Sequence, residues 1–182
     1  MNIYLMRHAH AKSNAERRVN DTLKRKVYLT DLGKKQAKEA AEKLKNKKFD
    51  MIFSSQFPRC LQTAEIVNKY HGVKIIRDKR LNEWASGFDG KTYEELNEYL
   101  KRDPLMMHYK KGEPISKLKK RIVSFIRELK NKNRNKKYQN GSVLIVSHEQ
   151  VLRVLYGYLK NIDIKLSLRK KISNTRIFYF KI

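Results

Sequence analysis

Two short apolar runs constrain this chain most: Ile3-Tyr4-Leu5-Met6 near its start and Val143-Leu144-Ile145-Val146 near its end. Each reads as a strand, and each stops at a histidine, the first at Arg7-His8 and the second at Ser147-His148. The C-terminal ends of strands are where open α/β sheets gather their ligand groups. A guanidinium is a fixed fork of donors that grips a phosphate or carboxylate. A neutral imidazole is a nucleophile that titrates near physiological pH. A histidine after a strand is more often a hydrogen-bonded loop residue, so the two histidines alone do not establish a site.

A third junction has the same form. Met51-Ile52 leads into Phe53-Ser54-Ser55-Gln56-Phe57-Pro58-Arg59, and the amphipathic stretch from Cys60 to Val67 follows. Helix N-termini offer free N–H groups and a positive dipole end, so an anion is welcome beside Arg59. Leu81-Asn82-Glu83 then supplies a carboxyl group, which phosphate-ester cleavage needs to protonate the leaving oxygen. The spacing predicts strands at Asn2 to Met6, Met51 to Ser54, Val73 to Ile76, Ser142 to Ser147 and Thr175 to Lys181. It predicts helices at Asp31 to Asn46, Phe57 to Tyr70, Thr92 to Lys101, Ser116 to Asn131 and Gln150 to Tyr158. Thr30 is the expected N-cap of the first, with Gly33 tolerated in its opening turn. Strands alternating with helices give a mainly parallel sheet covered on both faces. The segment Asp103 to Pro114 breaks the periodicity and is expected to form a pocket rim lined by Met106, Met107, His108 and Tyr109.

These residues resemble the histidine phosphatase (phosphoglycerate mutase-like) superfamily over nearly the whole chain. The resemblance rests on Leu5-Met6-Arg7-His8, Asn14, the segment from Leu29-Thr30-Asp31-Leu32-Gly33 to Gln36-Ala37, and Ser54-Ser55 with Arg59 and Gln62-Thr63-Ala64. It continues through Leu81-Asn82-Glu83, Val146-Ser147-His148 and Ser173-Asn174-Thr175. It implies a three-layer α/β/α sandwich and a metal-independent phosphatase of the histidine acid phosphatase type, with no cofactor. It also implies roles: His8 as the nucleophile, Arg7, Arg59 and His148 around the phosphate, Glu83 as proton donor and later base. Asn14 would be a secondary substrate contact, or a helix-capping residue.

Three positions depart from the family pattern. Ala9 stands where a glycine is usual and His10 where a glutamate is usual, an Arg-His-Ala form that resembles a branch with protein phosphohistidine phosphatases. His10 is expected in the pocket wall. Glu149-Gln150 follows His148 in place of two glycines. Glu149 either opens the next helix, where its charge suits the dipole, or faces the pocket among the substrate-binding residues. The capping alternative is preferred, because an inward carboxylate would oppose a bound phosphate.

The 182 residues fit a single domain, 1–182. One cysteine, Cys60, excludes an intrachain disulfide and suits a reducing, cytoplasmic setting, with the thiol expected in the core. No leader of the secretory kind and no membrane span is read from the sequence. The five histidines are scattered, so no metal site is expected. The formal net charge of +25 permits nucleic acid as a partner, but the lysines are spread through most segments and that reading is not favoured. From Lys117 to Lys137 the apolar spacing gives a helix with one buried face and a cationic outer face, followed by a polar loop over Asn131 to Gln139. The expected partner is a small phosphorylated substrate, and the chain a monomer or homodimer. A phosphoglycerate-type mutase and a non-catalytic phosphate- or RNA-binding protein are the alternatives.

Overall fold

The computed structural model describes residues 1–107, 111–134 and 141–182. Five strands, β1 (Asn2–Arg7), β2 (Met51–Ser54), β3 (Ile75–Arg77), β4 (Ser142–Ser147) and β5 (Ile177–Lys181), form one sheet in the order β3-β2-β4-β1-β5. β1 through β4 pair in parallel, and β5 closes the edge antiparallel to β1. The helices are α1 (Lys12–Ala15), α2 (Asp31–Leu44), α3 (Pro58–Asn68), α4 (Tyr93–Arg102), α5 (Ile115–Arg134), α6 (Glu149–Lys160) and α7 (Ile164–Leu168).

Alternation along the strands builds two cores. Ile3, Leu5, Phe53, Val143 and Ile145 face Leu118, Ile122, Phe125, Ile126 and Leu129 of α5 with Val151, Leu152 and Leu155 of α6. Their chain neighbours Met6, Ile52, Leu144 and Val146 turn the other way, onto Ala40, Ala41 and Leu44 of α2 and Cys60, Ala64 and Val67 of α3. Each Val, Leu, Ile, Phe or Met among them contributes roughly 1.5–3 kcal/mol by leaving water, and the alanines less. The result is the expected three-layer sandwich, with the cationic side of α5 outward.

Several local expectations need correction. β3 begins at Ile75 instead of Val73, because the Asn68 side chain takes both the Val73 amide (3.0 Å) and its carbonyl (2.8 Å). Thr30 caps α2 as expected, accepting from the Gly33 amide at 3.1 Å. Gly33 is required there, since a Cβ would stand 1.9 Å from the His10 carbonyl oxygen. α5 runs on to Arg134, into the expected polar loop, whose positions 135–139 lie outside the described residues. Of the segment Asp103 to Pro114, the described residues 103–107 and 111–114 are not among those lining the site cavity. Met106 is fully buried in the α5 core, and the Glu113 backbone bonds Ala85 and accepts the Trp84 indole N–H, so these two residues are held by the core and by Trp84. Met107 is exposed, and His108 and Tyr109 lie outside the described residues. α1, α7 and the 3-10 turn Lys79–Leu81 are too short to have shown periodicity.

Candidate active site

The pairing of β1 with β4 sets Arg7 opposite Ser147, so the two strand-end histidines emerge side by side. The His8 amide donates to the Ser147 carbonyl at 2.9 Å, and the His8 and His148 ring centroids are 5.3 Å apart. Asn174, just before β5, donates to the His8 carbonyl at 2.8 Å, and the Ala9 amide donates to Thr63 of α3 at 3.1 Å. The His8 backbone is thereby held by β4, α3 and the entry to β5.

Arg59, in the first turn of α3 and only 2% exposed, fixes both imidazoles. Its Nε donates to His8 Nε2 at 3.2 Å, so that nitrogen carries a lone pair and Nδ1–H donates to the Ala9 carbonyl at 2.8 Å. Its Nη2 lies 3.1 Å from His148 Nδ1, which therefore accepts, leaving His148 Nε2–H to donate to Ser55 Oγ at 2.8 Å. Burial first, then the charges of Arg59 and neighbouring cations, hold both histidines well below the ordinary imidazole range, so both are neutral at pH 7. Cys60 is buried as expected, but it packs directly on the site, with Sγ 3.4 Å from His148 Nε2. Burial pushes its thiol up to about 12, so it stays protonated.

Glu83 follows the 3-10 turn and faces the histidines, its Oε2 3.5 Å from His148 Nδ1. Burial raises its carboxyl to about 7, against the lowering pull of Arg59 and a bond from the Trp84 amide at 2.9 Å. Arg7 turns back over the cavity, where its Nη1 donates to the Ile172 carbonyl. Its Nε is buried without a hydrogen-bond partner among the described residues. An incoming anion would supply that missing acceptor.

Glu149 corrects the preferred expectation. It is the first residue of α6, yet its carboxylate does not cap the helix; it reaches Arg7 at 3.0 Å, Arg153 at 2.8 Å and the Ile172 amide at 3.2 Å. The two guanidiniums, one from the neighbouring strand and one a turn along α6, draw it into the cavity wall as an internal counter-ion. His10 is the reverse case. Its backbone bonds Gln36 and its ring bonds Thr30 at 2.9 Å, so it faces α2 and is not among the cavity-lining residues. Asn14 makes the capping contact, its side chain accepting from the Ala11 amide at 2.9 Å, and it also lines the cavity, donating to the Tyr93 hydroxyl at 3.2 Å.

These groups open into a cavity of about 690 Å3 that contains Arg7, His8, Asn14, Arg59, Glu83 and Glu149. Completely buried His148 sits behind it, against the Phe57 ring. Sequence reasoning missed Asn20, which receives two Arg59 donors, and Asp21, Tyr93 and Arg153 in the same wall. It also missed Arg121 of α5, which donates to the carbonyls of Arg80, Asn82 and Glu83. No local pattern marks these residues, because each comes to the site only through the fold. Among the described residues, no three of His, Cys, Asp or Glu are grouped to hold a metal ion, and no helix is long and apolar enough to cross a membrane.

The family model described as histidine phosphatase superfamily (branch 1) matches residues 3–182. Phosphoserine phosphatase 1 of Hydrogenobacter thermophilus is 28% identical over 170 residues, covering 89% of this chain and 77% of its own. A Shigella boydii protein named "Probable phosphoglycerate mutase GpmB" is 28% identical over 185 residues, covering 97% of this chain and 83% of its own. Among solved structures, Bacillus stearothermophilus YhfR superposes with a TM-score of 0.86 at 24% identity, over 100% of this chain and 91% of its own. A mycobacterial glucosyl-3-phosphoglycerate phosphatase superposes with a TM-score of 0.83 at 21% identity, over 98% and 88%. Both share the fold.

Proposed function

The chain belongs to the histidine phosphatase superfamily (branch 1), and from that membership we propose that it is a phosphomonoester hydrolase working through a phosphohistidine on His8. The observation that carries the reading is His8 in the cavity wall with Arg59 donating to its Nε2, so that this is the unprotonated nitrogen of a ring kept neutral by burial and cationic neighbours. In the first step Nε2 attacks phosphorus while the ester P–O bond breaks, and the Glu83 carboxyl gives its proton to the departing oxygen. In the second, the Glu83 carboxylate takes a proton from water as that water attacks the phosphohistidine, releasing phosphate and restoring both groups. Arg7, through the Nε–H that has no partner among the described residues, and Arg59 offset the charge that builds on the phosphoryl oxygens. His148 gains a proton more easily once a dianion sits beside it, and then donates as well. The named phosphatases among the relatives support the reaction class, and the substrate is a small phosphorylated metabolite.

Brief mixing with a 32P-labelled ester tests this directly. Acid-labile label should appear on the wild-type protein and be absent from His8→Ala, and chelator should leave the rate unchanged, since the positive charge comes from arginines. Label that survives in His8→Ala overturns the assignment of the nucleophile. The mutase named among the relatives supports a second reading, in which the phosphoryl group returns to another hydroxyl. Exchange between phosphoglycerate isomers faster than phosphate release would select it.

A further inference from the structure

Asp21 lies in the wall of the same cavity as Glu83, Arg7 and Arg59, and is only 5% exposed. Its Oδ2 accepts from the Ser86 hydroxyl and from the Gly87 amide at 3.1 Å. Its Oδ1 is buried and has no hydrogen-bond partner among the described residues. A buried carboxylate oxygen without a donor is costly, and such groups persist where a ligand completes them. The loop is braced to hold it there. The Asp21 amide and the Thr22 hydroxyl both donate to Asp89, at 3.0 and 2.9 Å, and Asn20 is gripped by Arg59. The chemistry proposed above makes no use of this carboxylate. Glu83 supplies the proton, and a second anion near the phosphate opposes its binding.

We propose that Asp21 selects the substrate, its Oδ1 receiving a protonated amine carried on the leaving alcohol of the phosphate ester. The inference deepens the phosphatase reading and rests on it. The cavity is then bipolar, with Arg7 and Arg59 at the phosphate end and Asp21 for the cation. Burial and the nearby Asp89 oppose the negative form of Asp21, the hydrogen bonds from Ser86 and Gly87 favour it at Oδ2, and a cation at Oδ1 would favour it further. A hydroxyl would fill the missing hydrogen bond and leave the charge uncompensated.

The test compares kcat/KM for four esters of similar size, 2-aminoethyl, 2-hydroxyethyl, ethyl and carboxymethyl phosphate, with p-nitrophenyl phosphate as the gauge of the reaction itself. The wild-type protein should prefer the aminoethyl ester over the ethyl ester by about tenfold or more. Asp21→Asn and Asp21→Ser should each bring that ratio close to one. Two variants are needed because Asp21 also anchors Ser86 and Gly87, and the wild-type ratio is informative even if both fold poorly. Equal rates on the aminoethyl, hydroxyethyl and ethyl esters, with p-nitrophenyl phosphate turned over, overturn the role of Asp21 and leave the phosphatase reading standing. So does an amine preference that survives both substitutions. A carboxymethyl preference that Asp21→Asn removes would mean that Asp21 is a protonated donor, which also overturns the proposal. Failure to release phosphate from every ester overturns the phosphatase reading itself.

Discussion

Burial lifts the Glu83 carboxyl from its ordinary value of 4.5 to about 7, so ionising this residue at neutral pH weakens the fold. Between those values the folded chain holds a proton that the unfolded chain has lost. The stabilisation is therefore complete below 4.5 and is lost as pH rises through about 7. At about 1.4 kcal/mol per unit, discounted because the side chain is 19% exposed, the loss is on the order of 2 kcal/mol. Glu83→Gln carries no charge, so it should melt with the wild type near pH 4.5 and several degrees above it at pH 8. The same variant should slow phosphoenzyme formation, read in a single turnover, about 100-fold with alkyl phosphates and much less with aryl phosphates, whose leaving groups need no proton. The wild-type rate on alkyl esters should fall as pH rises through about 7. An equal rise in melting temperature at both pH values would show that burial of the charge is not the cause.

Between elements, the parallel register of β1 and β4 makes the site, and α5 holds the acid in place from behind. Arg121 donates to the carbonyls of Arg80, Asn82 (2.8 Å) and Glu83 (3.2 Å) and pairs with Glu113 at 2.9 Å. Arg121→Met should free the loop, let water reach Glu83 and return its carboxyl toward the ordinary range. The alkaline limb of the pH–rate profile should then move to lower pH, and kcat on alkyl esters fall about tenfold, with phosphate inhibition little changed. A uniform loss at every pH would leave Arg121 only a packing role. Such contacts explain what the sequence could not disclose. The strands, the two strand-end histidines and the apolar faces of α2, α3 and α5 were legible because their signals are local and periodic. Arg121 sits among lysines of a helix whose other cations up to Lys130 are exposed, and nothing nearby in sequence distinguishes it. Glu149 has the local preference of a helix start, overridden by Arg7 on the adjacent strand and Arg153 on its own helix. Glu83 was picked out by a family pattern; its raised carboxyl follows from burial that only the assembled fold supplies.

At the scale of the whole molecule, the formal net charge of +25 surrounds a cavity whose own wall is nearly balanced, since Arg7, Arg59, Arg153 and Lys171 face Asp21, Glu83 and Glu149. The excess is therefore on the outside. Part of it lines an open cavity of about 750 Å3 along α5, with Arg80, Lys119, Lys120 and Arg127, which shares none of its described residues with the reaction cavity. A field of this kind draws a dianionic ester in without contacting it, and its reach shrinks from about 30 Å at 0.01 M salt to about 8 Å at 0.15 M. Over that range kcat/KM for a phosphate ester should fall roughly fivefold while kcat stays constant, because salt screens capture and leaves the buried chemistry alone. Inhibition by inorganic phosphate should weaken in parallel. If kcat/KM is flat with salt, the surface charge does not reach the pocket. Replacing Lys119, Lys120 and Arg127 by serine should reduce the slope by only a small share, since these three are a minor part of the total. Loss of most of the slope in that variant would locate the steering in the α5 groove instead of the molecule's whole field.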